Sequence, residues 1–364
     1  MQTFLTISLD AFTHNIRRIR QHIGESRIIC GVVKANAYGH GLIETAKHLV
    51  AHGVDRLAVV SVHDVYILRQ NQIQTPIYIM NALHPHEYEE SIILKAIPFI
   101  SSLYEVVEWQ KQASRLNIIT PVQLKVNSQM NRLGVDSIDA QDIIKAISQA
   151  SHLKLEGIAL HLAQSDSPEN DGVLRDIHLI DSLQQQLSVH YPDLIYNVAN
   201  SGALIHYPSS LYHMIRPGIA MYGYESNLQL QPALSWVSMV MHIRKVSAGT
   251  PVSYGAYYTT QHDTFLAVIP VGYADGFPRE HVTPVFVLIH NHRYPVVGRV
   301  CMNQMIIDLG ERHDVQLFDT VYLIHPTLLP ATELALATNT ISYRILTSLS
   351  PQLPRLYTHE SLEV

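Results

Sequence analysis

Residues 32–41 read VVKANAYGHG. The apolar pair Val32-Val33 leads into Lys34, and a bendable stretch with Asn36, Tyr38, His40 and two glycines follows. A strand-like run of this type is bound for the interior, so it carries Lys34 to the edge of a core. In a partly dry setting the ammonium form of lysine is destabilised, its pKa falls and its amine becomes a nucleophile. Lys34 is therefore a candidate for Schiff-base chemistry. Later apolar runs also close on polar groups: Lys125 and Asn127, with Arg132 beyond them in NSQMNRLG, then His161, then Asn200 and Ser201, then Arg216 ahead of Pro217-Gly218. Taken singly, each fits an exposed loop residue. Taken together, so many cationic groups call for an anionic ligand between them, because unpaired buried charge is costly.

The elements that must position these groups are legible up to about residue 225. LDAFTHNIRRIRQHI (9–23) places Phe12, Ile16, Ile19 and Ile23 on one face, a helical spacing. Eight strand-like runs follow: 27–35, 56–62, 76–82, 97–101, 122–127, 155–163, 195–201 and 214–223. Helix-length segments such as HDVYILRQN and AQDIIKAISQA lie between most of them. Repeated βα units with buried apolar strands imply a parallel sheet, and eight of them suggest a closed (β/α)8, TIM-like barrel with its chemistry at the C-terminal strand ends. An open doubly wound sheet is the alternative, but no GxGxxG turn supports it. After about residue 230 the runs come in quick succession with turns between, and IHNHRYP reads as a hairpin. The expected organisation is a barrel over 1–228 and a mostly β domain over 229–364, ending with a short helical stretch near 332–348.

Composition narrows the function. The chain has 364 residues, a net charge of −6 and no basic run, which argues against nucleic acid as the main partner. The only two cysteines, Cys30 and Cys301, sit in apolar runs and read as buried free thiols. Residues 1–20 carry no secretory h-region, and no apolar stretch approaches the ~20 residues of a membrane span. A soluble cytoplasmic protein with no membrane partner is expected. The 22 histidines are scattered, and His290 and His292 lack a third ligand of fixed spacing, so no metal is expected.

A Schiff base to pyridoxal phosphate needs a cradle for the phosphate, a partner for the pyridine nitrogen and a group near the phenolic oxygen. Ser201 and the backbone N–H groups around Gly218 and Ile219 suit the cradle. At this point the residues resemble a known family. VVKANAYGHG, MNRLGV, GIALHLAQSD, NVANSGA, RPGIAMYG, VSYGA, VGYADGF and VGRVCMNQM follow, in order, the pattern of alanine racemases. These are pyridoxal-phosphate enzymes with an N-terminal barrel and a C-terminal β domain, and the match spans nearly the whole chain.

The resemblance implies roles. Lys34 would hold the cofactor covalently and act as one base, with Tyr254 as the other from the opposite face. Tyr38, Ser201, Gly218, Ile219 and Tyr343 would bind the phosphate, with Asn200 beside them among the cofactor-binding residues. Arg216 would face the pyridine nitrogen. His161 would pack beside the ring and hydrogen-bond Tyr254 or Arg216, and both cationic neighbours would lower the Tyr254 pKa. Arg132 would reach the phenolic oxygen and the substrate carboxylate, Met302 would offer its N–H to that carboxylate, and Tyr273 would line the way in. Lys125, beside Arg132, is the position carbamylated in many members. The substrate would be alanine, and the family's head-to-tail homodimer, with active sites shared between subunits, would bring Tyr254 from a partner; a supply of D-alanine for peptidoglycan would follow.

Two places depart from the pattern. The usual DTGM is NSQM (127–130), and the usual CMDQ is CMNQ, with Asn303 for an acidic residue. Both changes remove negative charge near cationic groups. Competing functions are a non-catalytic cofactor carrier, opposed by the β-rich third and Tyr254; a barrel decarboxylase, opposed by Arg216; and a metal-dependent hydrolase, opposed by the dispersed histidines.

Overall fold

The computed structural model describes residues 2–224 and 228–359. Eight parallel strands close into a barrel: Ile28–Val32, Arg56–Val59, Ile77–Ile79, Ala96–Ile100, Thr120–Lys125, Leu153–Ala159, Ile195–Asn197 and Met214–Ile215. The ring is sealed where Ile28 and Ile29 pair with Met214 and Ile215. All eight runs picked out by their apolar content are strands of this barrel. Burial explains the pattern, since outward side chains pack under helices and inward ones fill the interior.

The helix read at 9–23 forms as Leu9–Ile23 and precedes the first barrel strand. Ser8 caps it by accepting from the Ala11 N–H, and Phe12, Ile16, Ile19 and Ile23 are buried along one stripe. Gly24 ends it with φ +82°, the left-handed region that glycine enters without steric cost.

The second half is a nine-stranded, mostly antiparallel sheet. Its strands run in the order His242–Val246, Thr264–Ile269, Met305–Gly310, His292–Val297, Phe286–Ile289, Thr320–Ile324, Leu234–Met239, Phe4–Ser8 and Arg355–Thr358. The IHNHRYP segment is the hairpin expected: His290 and Asn291 both take positive φ, +48° and +62°, as a two-residue turn between twisted strands requires.

Three features differ from the sequence-based expectation. Phe4–Ser8, in a segment with no strand expected, lies in the C-terminal sheet, antiparallel to Leu234–Met239 and parallel to Arg355–Thr358. The single helical stretch near 332–348 is two helices, Ala331–Ala337 and Ser342–Ser348. Cys301 is only half-buried and lies in a loop, while Cys30 is fully buried in the first barrel strand; both are free thiols. No helix among the described residues is long and apolar enough to cross a membrane.

Candidate active site

The turn that carries Lys34 is left-handed. Ala35, Asn36, Ala37 and Tyr38 take φ of +52°, +54°, +52° and +51° in succession. For non-glycine residues this costs roughly 1–2 kcal/mol each, so the surroundings must enforce it. The Asn36 side chain accepts from the Leu42 N–H at 2.8 Å, and its carbonyl accepts from the Gly41 N–H at 2.9 Å. His40 is fully buried, and its Nδ1 lies 2.9 Å from the Tyr38 carbonyl, so the neutral ring donates there. Burial lowers the His40 pKa to about 4, which keeps the ring in that form. From the C-terminal strand, Arg355 Nε donates to the Gly39 carbonyl at 2.8 Å and Tyr357 Oη to the His40 carbonyl at 3.0 Å. A Cβ at Gly41 would stand 2.0 Å from Tyr357 Oη, and one at Gly39 would stand 2.1 Å from the Leu346 carbonyl. The glycines thus serve close approach as well as the bend.

The same turn delivers Tyr38 to the eighth strand end. Its ring packs 4.7 Å from Tyr222 and 5.9 Å from Tyr343, and burial holds its phenol far above the ordinary range, hence protonated. A Cβ on Gly218 would meet Tyr38 Oη at 2.4 Å. Ser201 Oγ accepts from the Gly218 and Ala220 N–H groups at 3.0 and 3.2 Å, while the Ile219 N–H finds no acceptor among the described residues. Asn200 caps the helix Ser201–His206 by accepting from the Ala203 N–H, and it also accepts from Ser165 Oγ at 2.7 Å, so it positions Ser201. The result is a small bowl of N–H and O–H donors in which a side chain at 218 would intrude, as a phosphate cradle requires.

Arg216 is 3% exposed. Its two terminal nitrogens donate to the carbonyl and side-chain oxygens of Asn197 and to the Leu160 and Val198 carbonyls. No described residue accepts from its Nε–H, the donor that remains for a ring nitrogen. Burial lowers its pKa to about 10, so it is a cation at neutral pH. The residues present fit pyridoxal phosphate: bowl, nitrogen partner and Lys34 share one barrel mouth.

The cationic cluster is real. Lys34 is half-buried and its pKa is lowered, by burial first and then by Arg132. Lys125 is buried and pushed well below the usual lysine range, by burial, then Arg216 and Arg132. Arg132 is exposed and has no hydrogen bond to a described residue, which leaves its guanidinium available to an anion. His161 feels burial and then Arg216, Lys125, Arg132 and Lys34, which push its pKa down to about 2. At this residue the expected cationic imidazole and the Arg216 hydrogen bond are not found. A neutral His161 cannot lend positive charge to a tyrosine base, and it makes no hydrogen bond with Arg216, whose terminal donors are taken by Asn197 and two carbonyls.

The β-domain residues form a separate group. Ser253 Oγ donates to the Arg299 carbonyl at 2.6 Å, and the Ala274 N–H to the Met302 carbonyl at 2.9 Å, which brings Tyr254, Tyr273 and Met302 onto neighbouring loops. They are 68%, 40% and 56% exposed, very high for two tyrosines and a methionine. No hydrogen bond, ion pair or ring contact joins them to the barrel mouth among the described residues. Tyr343, by contrast, reaches the barrel mouth, because the helix Ser342–Ser348 packs on the Lys34 turn.

Sequence reasoning missed the supports. Tyr222 is buried behind Tyr38 and donates to the Val32 carbonyl at 2.9 Å. Asn197, which grips Arg216, sits in a run read only for its apolar content. A polar residue at an inward strand position was the available signal.

Comparison with known proteins agrees with this arrangement. Residues 7–226 match the family "Alanine racemase, N-terminal domain" and 233–357 match "Alanine racemase, C-terminal domain". The alanine racemase of Halothermothrix orenii is 33% identical over 368 residues, covering 98% of this chain and 96% of the relative. The solved alanine racemase of Clostridium difficile 630 superposes with a TM-score of 0.93 at 32% identity, covering 98% of this chain and 96% of that one. That of Bartonella henselae, solved with covalently bound pyridoxal phosphate, gives 0.90 at 28% identity, covering 98% and 100%. The chain therefore belongs to the alanine racemase family, the pyridoxal-phosphate-dependent isomerases that interconvert L- and D-alanine.

Proposed function

We propose that Lys34 and Tyr254 exchange protons with opposite faces of the alanine α-carbon, and that each site takes its Tyr254 from a second copy of the chain. The observation that carries this is the division of the site. The barrel mouth gathers Lys34, Tyr38, Ser201, Arg216, Gly218, Ile219 and Tyr343, while Tyr254, Tyr273 and Met302 stand exposed on a separate face. A C2 pairing that lays one face on the other chain's mouth completes both sites.

Pyridoxal phosphate supplies the electron withdrawal that acidifies the α-proton. Lys34 Nζ, its ammonium form disfavoured by burial, takes or returns a proton at one face. Tyr254 Oη does the converse at the other. Arg132 and the Met302 N–H hold the substrate carboxylate, and Tyr273 narrows the site to a small side chain. Tyr38, Ser201 and the 218–219 backbone bind phosphate. Arg216 would offer its Nε–H to the ring nitrogen of the bound cofactor and, as a cation at neutral pH, would not release a proton there, which would keep the cofactor a moderate electron sink and suppress side reactions. His161 packs beside the ring as a neutral imidazole. Lys125, whose ammonium form is disfavoured by burial, suits carbamate formation: as the amine it attacks carbon dioxide, loses a proton and becomes an anion beside Arg132. The two free thiols suit a reducing, cytoplasmic setting, where D-alanine would feed peptidoglycan synthesis.

The test mixes two inactive variants, Lys34→Ala and Tyr254→Phe, under conditions that exchange subunits. Random C2 re-pairing gives about a quarter of sites both native bases, and activity should rise to about that fraction. No recovery despite demonstrated exchange would overturn the shared site.

A further inference from the structure

The interior of the barrel is not wholly apolar. Arg216, Asn197, Gln123 and Glu156 form one hydrogen-bonded row from the mouth toward the far end. A terminal nitrogen of Arg216 donates to the Asn197 side-chain oxygen. Asn197 Nδ2 donates to Gln123 Oε1 at 2.8 Å, and Gln123 Nε2 donates to Glu156 Oε2 at 2.9 Å. Arg56, on the second barrel strand, reaches Glu156 Oε1 at 2.8 Å, and Tyr78 Oη donates to Oε2 at 2.9 Å. Gln123 and Asn197 are fully buried.

The row has a direction, and its ends enforce it. A guanidinium can only donate and a carboxylate with three donors on it can only accept. Glu156 therefore requires the Nε2 edge of Gln123. That turns Gln123 Oε1 toward Asn197, which must answer with Nδ2, and Asn197 is left with its oxygen facing Arg216. Either amide, flipped alone, would set donor against donor in the dry interior, where an unmade hydrogen bond is costly.

We propose that Glu156 and Gln123 are positioning residues for the racemisation: through Asn197 they lock the Arg216 guanidinium so that its Nε–H stays aimed at the cofactor ring nitrogen. This rests on the assignment of Arg216 to that nitrogen. Neither residue touches substrate or cofactor. Their work is to keep Arg216 from tilting away and admitting a proton from water to the ring. A protonated ring withdraws more electron density and favours the side reaction. In it the α-proton returns to the cofactor instead of the α-carbon, and water releases the carbon skeleton as pyruvate while the amino group stays on the cofactor.

The experiment compares Glu156→Gln, which removes the acceptor-only end at constant shape, Gln123→Met, which cuts the row, and Arg216→Glu as a control. The readouts are pyruvate formed per D-alanine, thermal midpoint, and the Arg216 side-chain position in crystals of the cofactor-free proteins. Glu156→Gln and Gln123→Met should each raise the pyruvate fraction about tenfold, the scale of one lost hydrogen bond to a charged group, with Arg216 displaced. A wild-type fraction in both, even with lowered kcat and midpoint, would overturn the positioning role and leave a structural one. If Arg216→Glu also leaves the fraction unchanged, the assignment of Arg216 fails instead.

Discussion

Gly218→Ala isolates the phosphate cradle. Gly218 does not use the left-handed backbone region, so alanine is conformationally acceptable and the effect is one of space. The new methyl would lie 2.4 Å from Tyr38 Oη and 3.1 Å from its ring carbon Cζ. An ordinary contact needs about 1 Å more. Tyr38 cannot easily yield. Its backbone is held at φ +51°, and its ring is packed on Tyr222 at 4.7 Å. Overpacking a buried site costs about 1–3 kcal/mol of stability, and loss of the proposed bond from the Tyr38 phenol to phosphate would weaken binding by about 1.5–3 kcal/mol. Cofactor affinity should fall about 100-fold, each 1.4 kcal/mol being a factor of ten. The assay is titration of the cofactor-free protein with pyridoxal phosphate, followed by quenching of intrinsic fluorescence, for Gly218→Ala, Tyr38→Phe and the double variant. If the methyl acts by displacing the hydroxyl, the double variant should bind nearly as well as Tyr38→Phe alone. Wild-type affinity in Gly218→Ala, or strictly additive losses, would refute the cradle described above.

Two further outcomes follow from the Lys34 turn. Gly41→Ala combines φ +97° with a Cβ 2.0 Å from Tyr357 Oη and should destabilise the fold by about 3 kcal/mol in urea unfolding. Gly249→Ala, with φ +79° and open space around it, should lose only about 1 kcal/mol; equal losses would mean that the packing against Tyr357 contributes nothing. His40 and His48 have folded pKa values of about 4, below the usual histidine value, so both are neutral in the fold. The unfolded chain takes up protons first as pH drops below about 6.5. Their contribution is therefore full above that pH and is lost on the way down to about 4. Buried His40 alone should cost about 2 kcal/mol by pH 5, and a flat stability profile over that window would contradict its burial.

Much of this architecture was legible because burial acts on short segments. Each barrel strand is a few apolar residues long and helix-length stretches separate most of them, so the count of eight is legible in the pattern itself. Lys34 and Arg216 stood out because charge at the end of an apolar run is costly unless used. What escaped was non-local or contrary to local preference. The segment FLTIS (4–8) pairs with residues more than 220 positions away, and nothing within it names its partner. The left-handed turn is made by Ala, Asn, Ala and Tyr, of which only Asn tolerates it readily; the hydrogen bonds of Asn36 and His40 and the clamps from Arg355 and Tyr357 make it tenable. Gln123 and Asn197 were hidden inside apolar strands, where a polar side chain is tolerated only if its partners are in place. The lowered pKa of His161 follows from burial first and then from Arg216, Lys125, Arg132 and Lys34, groups gathered from separate strands and loops, which spacing along the chain does not reveal.

The central claim is that Lys34 at the barrel mouth carries alanine racemisation with pyridoxal phosphate. The most direct test takes the purified protein and the Lys34→Ala variant, records absorbance after reconstitution, adds L-alanine and resolves the product by chiral chromatography. The account predicts a band near ~420 nm, as a lysine-bound pyridoxal gives, and D-alanine accumulating toward an equal mixture in the wild type, with band and product both lost in Lys34→Ala. A wild-type protein that takes up the cofactor but leaves L-alanine unchanged, or a Lys34→Ala variant that racemises at the wild-type rate, would contradict it.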